Sequence, residues 1–250
     1  LDGSVVLSLK AHELAASFLA EKPMKQWESL RLIAITDVER FGVAETLVRT
    51  EQLLALCRPG TVGIQLRDHN LPLRQRLALG RELRRLTEEQ KQALFVNDRL
   101  DLALLLGADG VHLGERSVGL EEARLAFGQG REDARLAFGV DSGSPQGRAP
   151  SFWSCSAHGL NALEAGPSAW LLSPILDERK GRAPLGLEAL TRGRAELTRF
   201  SVRPKLFALG GVRAGSAAEC LRAGADGVAA IGAVWAGRLE PLLEELALLR

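Results

Sequence analysis

The sequence predicts an α/β protein built as a single (β/α)8 TIM barrel with a short N-terminal extension. Three observations carry that reading. From residue 31 onward, eight short apolar runs alternate with helix-like segments, the repeat expected of a closed barrel of this size. Most of the runs are apolar on both faces, as strands covered by helices are. The turn after the first run has no G-x-G-x-x-G phrase, which an open doubly wound sheet would usually carry.

The expected strands are Leu32–Thr36, Val62–Leu66, Ala93–Asn97, Gly110–Leu113, Phe152–Ser156, Ala169–Ser173, Leu206–Leu209 and Gly227–Ile231. The expected helices lie near 44–57, 72–91, 99–106, 119–127, 159–165, 186–197, 215–223 and 236–249. Residues 1–30 form the extension and 31–250 the barrel. The extension contains a candidate helix, Ala11–Glu21, stopped by Pro23. It is placed to cap the barrel bottom or to mediate a homodimer contact. The phrase Gly-Ala-Asp-Gly occurs at 107–110 and 224–227, each time where a helix ends and a strand begins, as expected of tight turns on the stability face. The phrase ARLAFG occurs at 123–128 and 134–139, followed by a Ser-, Gly- and Pro-rich stretch; residues 129–151 read as an insertion before the fifth strand.

Composition narrows the function. Hydrophobic residues make up 46% and charged residues 25%, so the chain can build a core and is not a disordered polymer. The net charge of +1 argues against nucleic acid or an anionic membrane as the main partner. No apolar run approaches the ~18 residues of a membrane span. The first residues lack the ordered basic, apolar and small-residue regions of a secretion signal. Cys57, Cys155 and Cys220 are few, odd in number and far apart, which fits a reducing cytoplasm.

In a barrel, the C-terminal ends of the strands face the active site. Those ends are polar here: Thr36-Asp37, Gln65 to His69, Asn97-Asp98, His112 to Glu115, Ser154 to His158, Ser173-Pro174 and Gly210-Gly211. Alternation along the second strand puts Gln65 and Arg67 on one face. A buried Arg67 wants an anion, or a carboxylate brace such as Asp98. Gly210, Gly211, Ile231 and Gly232 follow strands seven and eight, where barrels commonly hold phosphate, although a tight turn would also use glycines. His112 is expected to pack on strand four. Cys155 is expected to point outward as a small apolar residue.

The phrases Gln65-Leu-Arg-Asp68, Asn97-Asp98, Gly110-Val-His-Leu-Gly114, Ser156-Ala-His158, Ser173-Pro-Ile and Ala208-Leu-Gly-Gly-Val212 together resemble the thiamine phosphate synthase/TenI family. The resemblance runs from about residue 31 to about 235. In that family the synthase joins a pyrimidine diphosphate to a thiazole phosphate with magnesium, while TenI-type members isomerise a thiazole phosphate without metal. The resemblance implies that Gln65, Arg67 and Asn97 line the pyrimidine and diphosphate side. It implies Asp98 as a magnesium ligand, Ser156 as a diphosphate contact, and Gly210 and Gly211 as the thiazole phosphate cradle. His158 matches the tautomerase histidine, with capping of the next helix as its other reading.

Three departures bear on the choice between these activities. His69 stands where the synthase pattern has a lysine. Ser117 stands where the second magnesium carboxylate is expected, with Glu115 two residues early. The loop after strand six reads Asp177-Glu178-Arg179-Lys180 in place of a threonine- and serine-bearing phosphate loop, and Lys180 aligns with the family lysine only across a one-residue gap. These losses predict a weakened diphosphate half-site, with Asp177 and Glu178 occupying part of the diphosphate side. They favour a TenI-like thiazole tautomerase with His158 as acid/base and no cofactor. A synthase using Mg2+ is the second reading, and a non-catalytic barrel that binds a thiamine precursor is the third. The expected partner in each case is a small phosphorylated thiazole.

Overall fold

The computed structural model describes residues 27–128 and 149–250. The candidate leader helix Ala11–Glu21, His12 and the second ARLAFG phrase lie outside the described residues.

Eight parallel strands close into a barrel in sequence order, with the last pairing to the first. They are β1 (Leu32–Ile35), β2 (Val62–Leu66), β3 (Ala93–Asn97), β4 (Gly110–Leu113), β5 (Phe152–Ala157), β6 (Ala169–Leu172), β7 (Lys205–Leu209) and β8 (Gly227–Ala230). The helices are α1 (Val38–Phe41), α2 (Val43–Leu56), α3 (Leu73–Glu89), α4 (Leu100–Leu105), α5 (Leu120–Ala126), α6 (Leu187–Leu197), α7 (Ala217–Arg222), α8 (Gly232–Trp235) and α9 (Leu239–Glu245). On α3 the buried Leu79, Leu83 and Leu86 recur at the helical period and face the sheet.

Two expected helices differ. Segment 159–165 is only a 3-10 turn, Leu160–Ala162, flanked by Gly159 and the Gly166-Pro167 pair, residues that disfavour helix. The expected final helix near 236–249 is shortened to α9, and a break separates it from the single turn α8 just ahead of it. The guanidinium of Arg49 takes the end carbonyls of Val234 and Gly237 at that break.

The barrel interior is filled in two chemically different halves. In the lower half, Phe95 and Phe152 stack with ring centroids 4.7 Å apart, and Trp27 tilts against both at 5.8 and 5.2 Å. Phe207 is also fully buried. Glycines on the two neighbouring strands make room for these rings: a Cβ on Gly63 would enter the Phe95 ring, and one on Gly110 would lie 2.8 Å from Phe95. Trp27 and Leu30, just ahead of β1, belong to this plug. In the upper half the inward positions become Gln65, Asn97 and His112 near the C-terminal ends, with Ser154 in the middle of β5 beside His112. The same side-chain alternation therefore gives a dry floor and a polar mouth.

The two Gly-Ala-Asp-Gly turns do the same work at the bottom. Gly107 and Gly224 have φ of 54° and 111°, closing α4 and α7. Asp109 accepts from the Leu94 N–H at 2.9 Å and from Arg84 at 2.8 Å. Asp226 accepts from the Leu206 N–H at 2.8 Å and from Arg194 and Arg203. Each carboxylate satisfies an amide of the neighbouring strand and pairs with arginine, as a buried charge must. No helix among the described residues is long and apolar enough to cross a membrane.

Candidate active site

The strand ends converge on a cavity of about 220 Å³ at the barrel mouth. Gln65, Arg67, His69, Asn97, Asp98, Ser156, His158, Lys180 and Ile231 all line it. A second cavity, also about 220 Å³, is lined by Gly210, Gly211, Ile231 and Gly232. Arg179, Leu209 and Ile231 border both, so the two form one bipartite site.

On the floor of the first cavity Gln65 Nε2 donates to Asn97 Oδ1 at 2.9 Å. Gln65 Oε1 is buried with no hydrogen-bond partner among the described residues. A buried acceptor left unpaired is costly, and on this cavity floor Oε1 is open to an N–H from a ligand.

The mouth is strongly cationic. Arg67, Arg116, Arg179, Lys180 and Arg182 line the cavity, against the carboxylates of Asp98 and Glu115. Burial lowers the pKa of Arg67, and Asp37 offsets that in part while the nearby Arg179 adds to it. Two guanidiniums held close in this way are poised for a shared anion. Arg67 makes no bond to Asp98; the buried carboxylate of Asp68 instead accepts from Thr36 and from the Val38 N–H at 2.5 Å. The internal brace considered for Arg67 is therefore absent. Although much of His69 meets solvent, the protein around it lowers its pKa, as do Arg67 and Arg76. The shift favours the neutral imidazole, which lacks the charge that a lysine would bring to a diphosphate.

The expectation that acids occupy the diphosphate side is corrected by the loop after β6. Arg179 and Arg182 pair backbone to backbone, at 3.1 and 3.0 Å, around Lys180 and Gly181 with φ of 52° and 72°. Such a two-residue reversal needs positive φ at both central positions, which the glycine supplies at one without strain. It turns Arg179, Lys180 and Arg182 toward the cavity. Asp177 lies instead beside the second cavity, 3.4 Å from Arg213.

Gly210 and Gly211 have φ of 98° and 77°. A Cβ on Gly211 would lie 2.6 Å from the Asp177 carboxyl carbon and 2.7 Å from its backbone nitrogen. Neither glycine gives its N–H to a backbone carbonyl among the described residues. Free amides on a close-packed glycine turn suit a phosphate.

His158 Nδ1 lies 2.9 Å from the Ser173 carbonyl oxygen, which can only accept, so Nδ1 carries the proton. Its Nε2 faces Glu115 at 3.7 Å, and Glu115 also accepts from Arg182 at 2.9 Å. The helix that His158 was weighed as capping does not form.

Asp98 has a φ of 68°, uncommon outside glycine, and gives its N–H to the His112 carbonyl at 2.9 Å. Its carboxylate has no hydrogen-bond partner among the described residues. No three His, Cys, Asp or Glu side chains there converge on one point. Ser117 accepts the Gly114 N–H at 2.7 Å and shapes the turn that carries Glu115.

Sequence reasoning missed Arg116, Arg179, Arg182 and the role of His112. His112 does not merely pack on its strand. It is 4% exposed and points inward, with Nδ1 3.0 Å from Ser154 Oγ and Nε2 3.0 Å from Ser156 Oγ. Burial drops its pKa to about 4, so it is neutral. Cys155 lies on the opposite face of β5 from these serines, partly buried against the core.

Residues 32–132 match the family model for thiamine monophosphate synthase. A putative thiamine-phosphate synthase of Geobacter sulfurreducens is 36% identical over 203 residues, covering 81% of this chain and 85% of its own. A thiamine-phosphate synthase of Moorella thermoacetica is 33% identical over 214 residues, covering 84% and 89%. A solved thiamine phosphate pyrophosphorylase from Pyrococcus furiosus superposes with a TM-score of 0.68 at 28% identity, covering 89% of this chain and 97% of that one.

Proposed function

The chain belongs to the thiamine phosphate synthase/TenI family, and from that premise we propose that it is a thiamine-phosphate synthase. It joins a pyrimidine carried on a diphosphate to a thiazole phosphate and releases inorganic pyrophosphate. The observation that carries this reading is the bipartite site, with a cationic cavity and a glycine-lined cavity joined at Arg179. Two phosphorylated substrates need two anion sites side by side. A tautomerase, with one phosphate and one carboxylate to hold, has no use for five cationic side chains at the mouth. The names of the relatives point the same way.

In this reading Gln65 and Asn97 hold the pyrimidine, with the buried Gln65 Oε1 accepting from its amino group. Arg67, Arg179, Lys180 and Arg182 take the diphosphate oxygens. Ser156 adds a hydroxyl. Gly210, Gly211, Ile231 and Gly232 cradle the thiazole phosphate. The carbon–oxygen bond to the diphosphate breaks and its electron pair leaves with pyrophosphate. The thiazole nitrogen then gives its lone pair to the pyrimidine methylene carbon, forming the new carbon–nitrogen bond. The cationic mouth stabilises the charge that develops on the leaving group.

The donor set fits magnesium. Magnesium typically takes one or two carboxylates and completes its shell with substrate phosphates and water. Asp98, with its unpaired carboxylate, and Glu115 would hold it on this cavity. When bound, the ion would neutralise part of the pyrophosphate charge.

A tautomerase remains the second reading because the His158 tautomer leaves Nε2 as a base on the same cavity. The test incubates the chain with the pyrimidine diphosphate, thiazole phosphate and magnesium. Magnesium-dependent thiamine phosphate and pyrophosphate are expected. No product at high enzyme concentration, together with metal-independent thiazole isomerisation abolished in His158→Ala, would replace this reading with the second.

A further inference from the structure

We propose that His112 is a positioning residue that aims the Ser156 hydroxyl at the bound anion, through a relay that starts at Ser154. The proposal rests on the synthase reading only in assigning Ser156 to a diphosphate oxygen.

The relay follows from proton accounting. β4 pairs with β5 so that His112 stands beside Ser154, and Ser156 is the next inward residue on β5. Ser154 is 1% exposed, and its hydroxyl has one partner among the described residues, His112 Nδ1 at 3.0 Å. A buried hydroxyl proton left without an acceptor is costly, so Ser154 donates and Nδ1 must present a lone pair. The imidazole proton then resides on Nε2, which donates to Ser156 Oγ at 3.0 Å. Because Nε2 is a donor, Ser156 cannot give its own proton to the ring. That proton is turned toward the cavity, where Ser156 is a lining residue.

The alternatives fail on the same accounting. With the proton on Nδ1, Ser154 has no acceptor for its hydrogen, and Ser156 donates to the ring and offers the anion only lone pairs. With both nitrogens protonated, Ser154 is again unsatisfied. A serine that never touches the ligand thus fixes a tautomer, and the tautomer decides whether Ser156 attracts or repels an anion.

The chain has four histidines, His12, His69, His112 and His158, so a nitrogen-15 histidine spectrum is simple to assign with His112→Gln as the reference. Long-range proton–nitrogen correlations on the ligand-free protein report the tautomer directly. The Nε2–H form is expected at neutral pH; the Nδ1–H form would overturn the relay without recourse to any variant. Affinity for inorganic pyrophosphate with magnesium gives the second readout. Ser154→Ala should weaken it about 3- to 10-fold and mix the two tautomers, and Ser154→Thr should restore both. Ser156→Ala should weaken it at least as much, and the double variant should be no worse than Ser156→Ala alone. Additive losses, or unchanged affinity in either single variant, would overturn it. A protein that fails to condense the two substrates yet shows the Nε2–H tautomer and coupled losses refutes the synthase reading and leaves this inference standing.

Discussion

Arg182 on the β6–α6 loop donates to Glu115 on the β4–α5 loop at 2.9 Å, across the mouth of the barrel. The Arg182 contact is the main reason that the Glu115 pKa falls. The pair is exposed, so it does little for stability. Its effect is on ligands: Glu115 holds Arg182 at the cavity, and in the synthase reading Glu115 and Asp98 are the carboxylates that would hold magnesium. Glu115→Gln should leave Tm unchanged and raise the magnesium concentration needed for half-maximal turnover several-fold. Arg182→Ala should leave Tm unchanged and weaken pyrophosphate binding. A large Tm loss in either variant would make the clasp structural.

Arg179 borders both cavities, so its removal should be felt in both half-sites. Arg179→Ala should weaken inorganic pyrophosphate and thiazole phosphate, titrated separately, by roughly 10-fold each, the size of one charge-assisted hydrogen bond. Arg67→Ala should weaken pyrophosphate alone, since Arg67 lines only the first cavity. Equal loss of both ligands in Arg67→Ala would deny the division of the site.

The strands were legible because their chemistry is local. An apolar run bounded by turn residues declares a strand, and alternation alone placed Gln65 and Arg67 inward with Cys155 on the other face from Ser154 and Ser156. The same parity, carried from Gly110 to His112, puts His112 inside. What hid its role was register, since nothing within β4 says that two serines of β5 stand at its two nitrogens. The loop after β6 was misread for a related reason. Asp177-Glu178 and Arg179-Lys180 are adjacent in sequence, and spacing does not say which pair faces the ligand. The reversal at Lys180-Gly181 decides it, and Lys180 is a residue that seldom announces positive φ.

Gly211→Ala should separate the two half-sites from the other side. The added Cβ would press on the backbone nitrogen of Asp177 at 2.7 Å, and φ of 77° strains any residue but glycine. The loop must shift and the amide cradle with it. Thiazole phosphate affinity should fall at least about 10-fold and by more than pyrophosphate affinity, which falls only as far as the displaced loop moves Arg179. Unchanged thiazole phosphate affinity would remove Gly211 from the cradle.

Lys205 gives a pH dependence far from the site. Its ammonium is 6% exposed on the barrel floor and donates to the carbonyls of Glu28 and Leu30 at 2.8 and 3.0 Å. Burial pulls its pKa from 10.5 down to about 8, despite the raising effect of Asp226. Between about pH 8 and 10.5 the folded chain therefore binds fewer protons at this site than the unfolded chain. The sign follows: this contribution rises with pH, because the buried charge costs stability below pH 8 and the cost is relieved as the lysine deprotonates. The full span is on the order of 3 kcal/mol. Cys57, Cys155 and Cys220, pushed up to about 12, 11 and 11, act in the opposite direction above pH 9. They cancel when the parent is compared with Lys205→Met at each pH. Unfolding in urea from pH 7 to 10.5 should show the parent gaining steadily on the variant. The loss of the two carbonyl contacts enters only as a constant offset, so a flat difference would mean that Lys205 titrates normally in the fold.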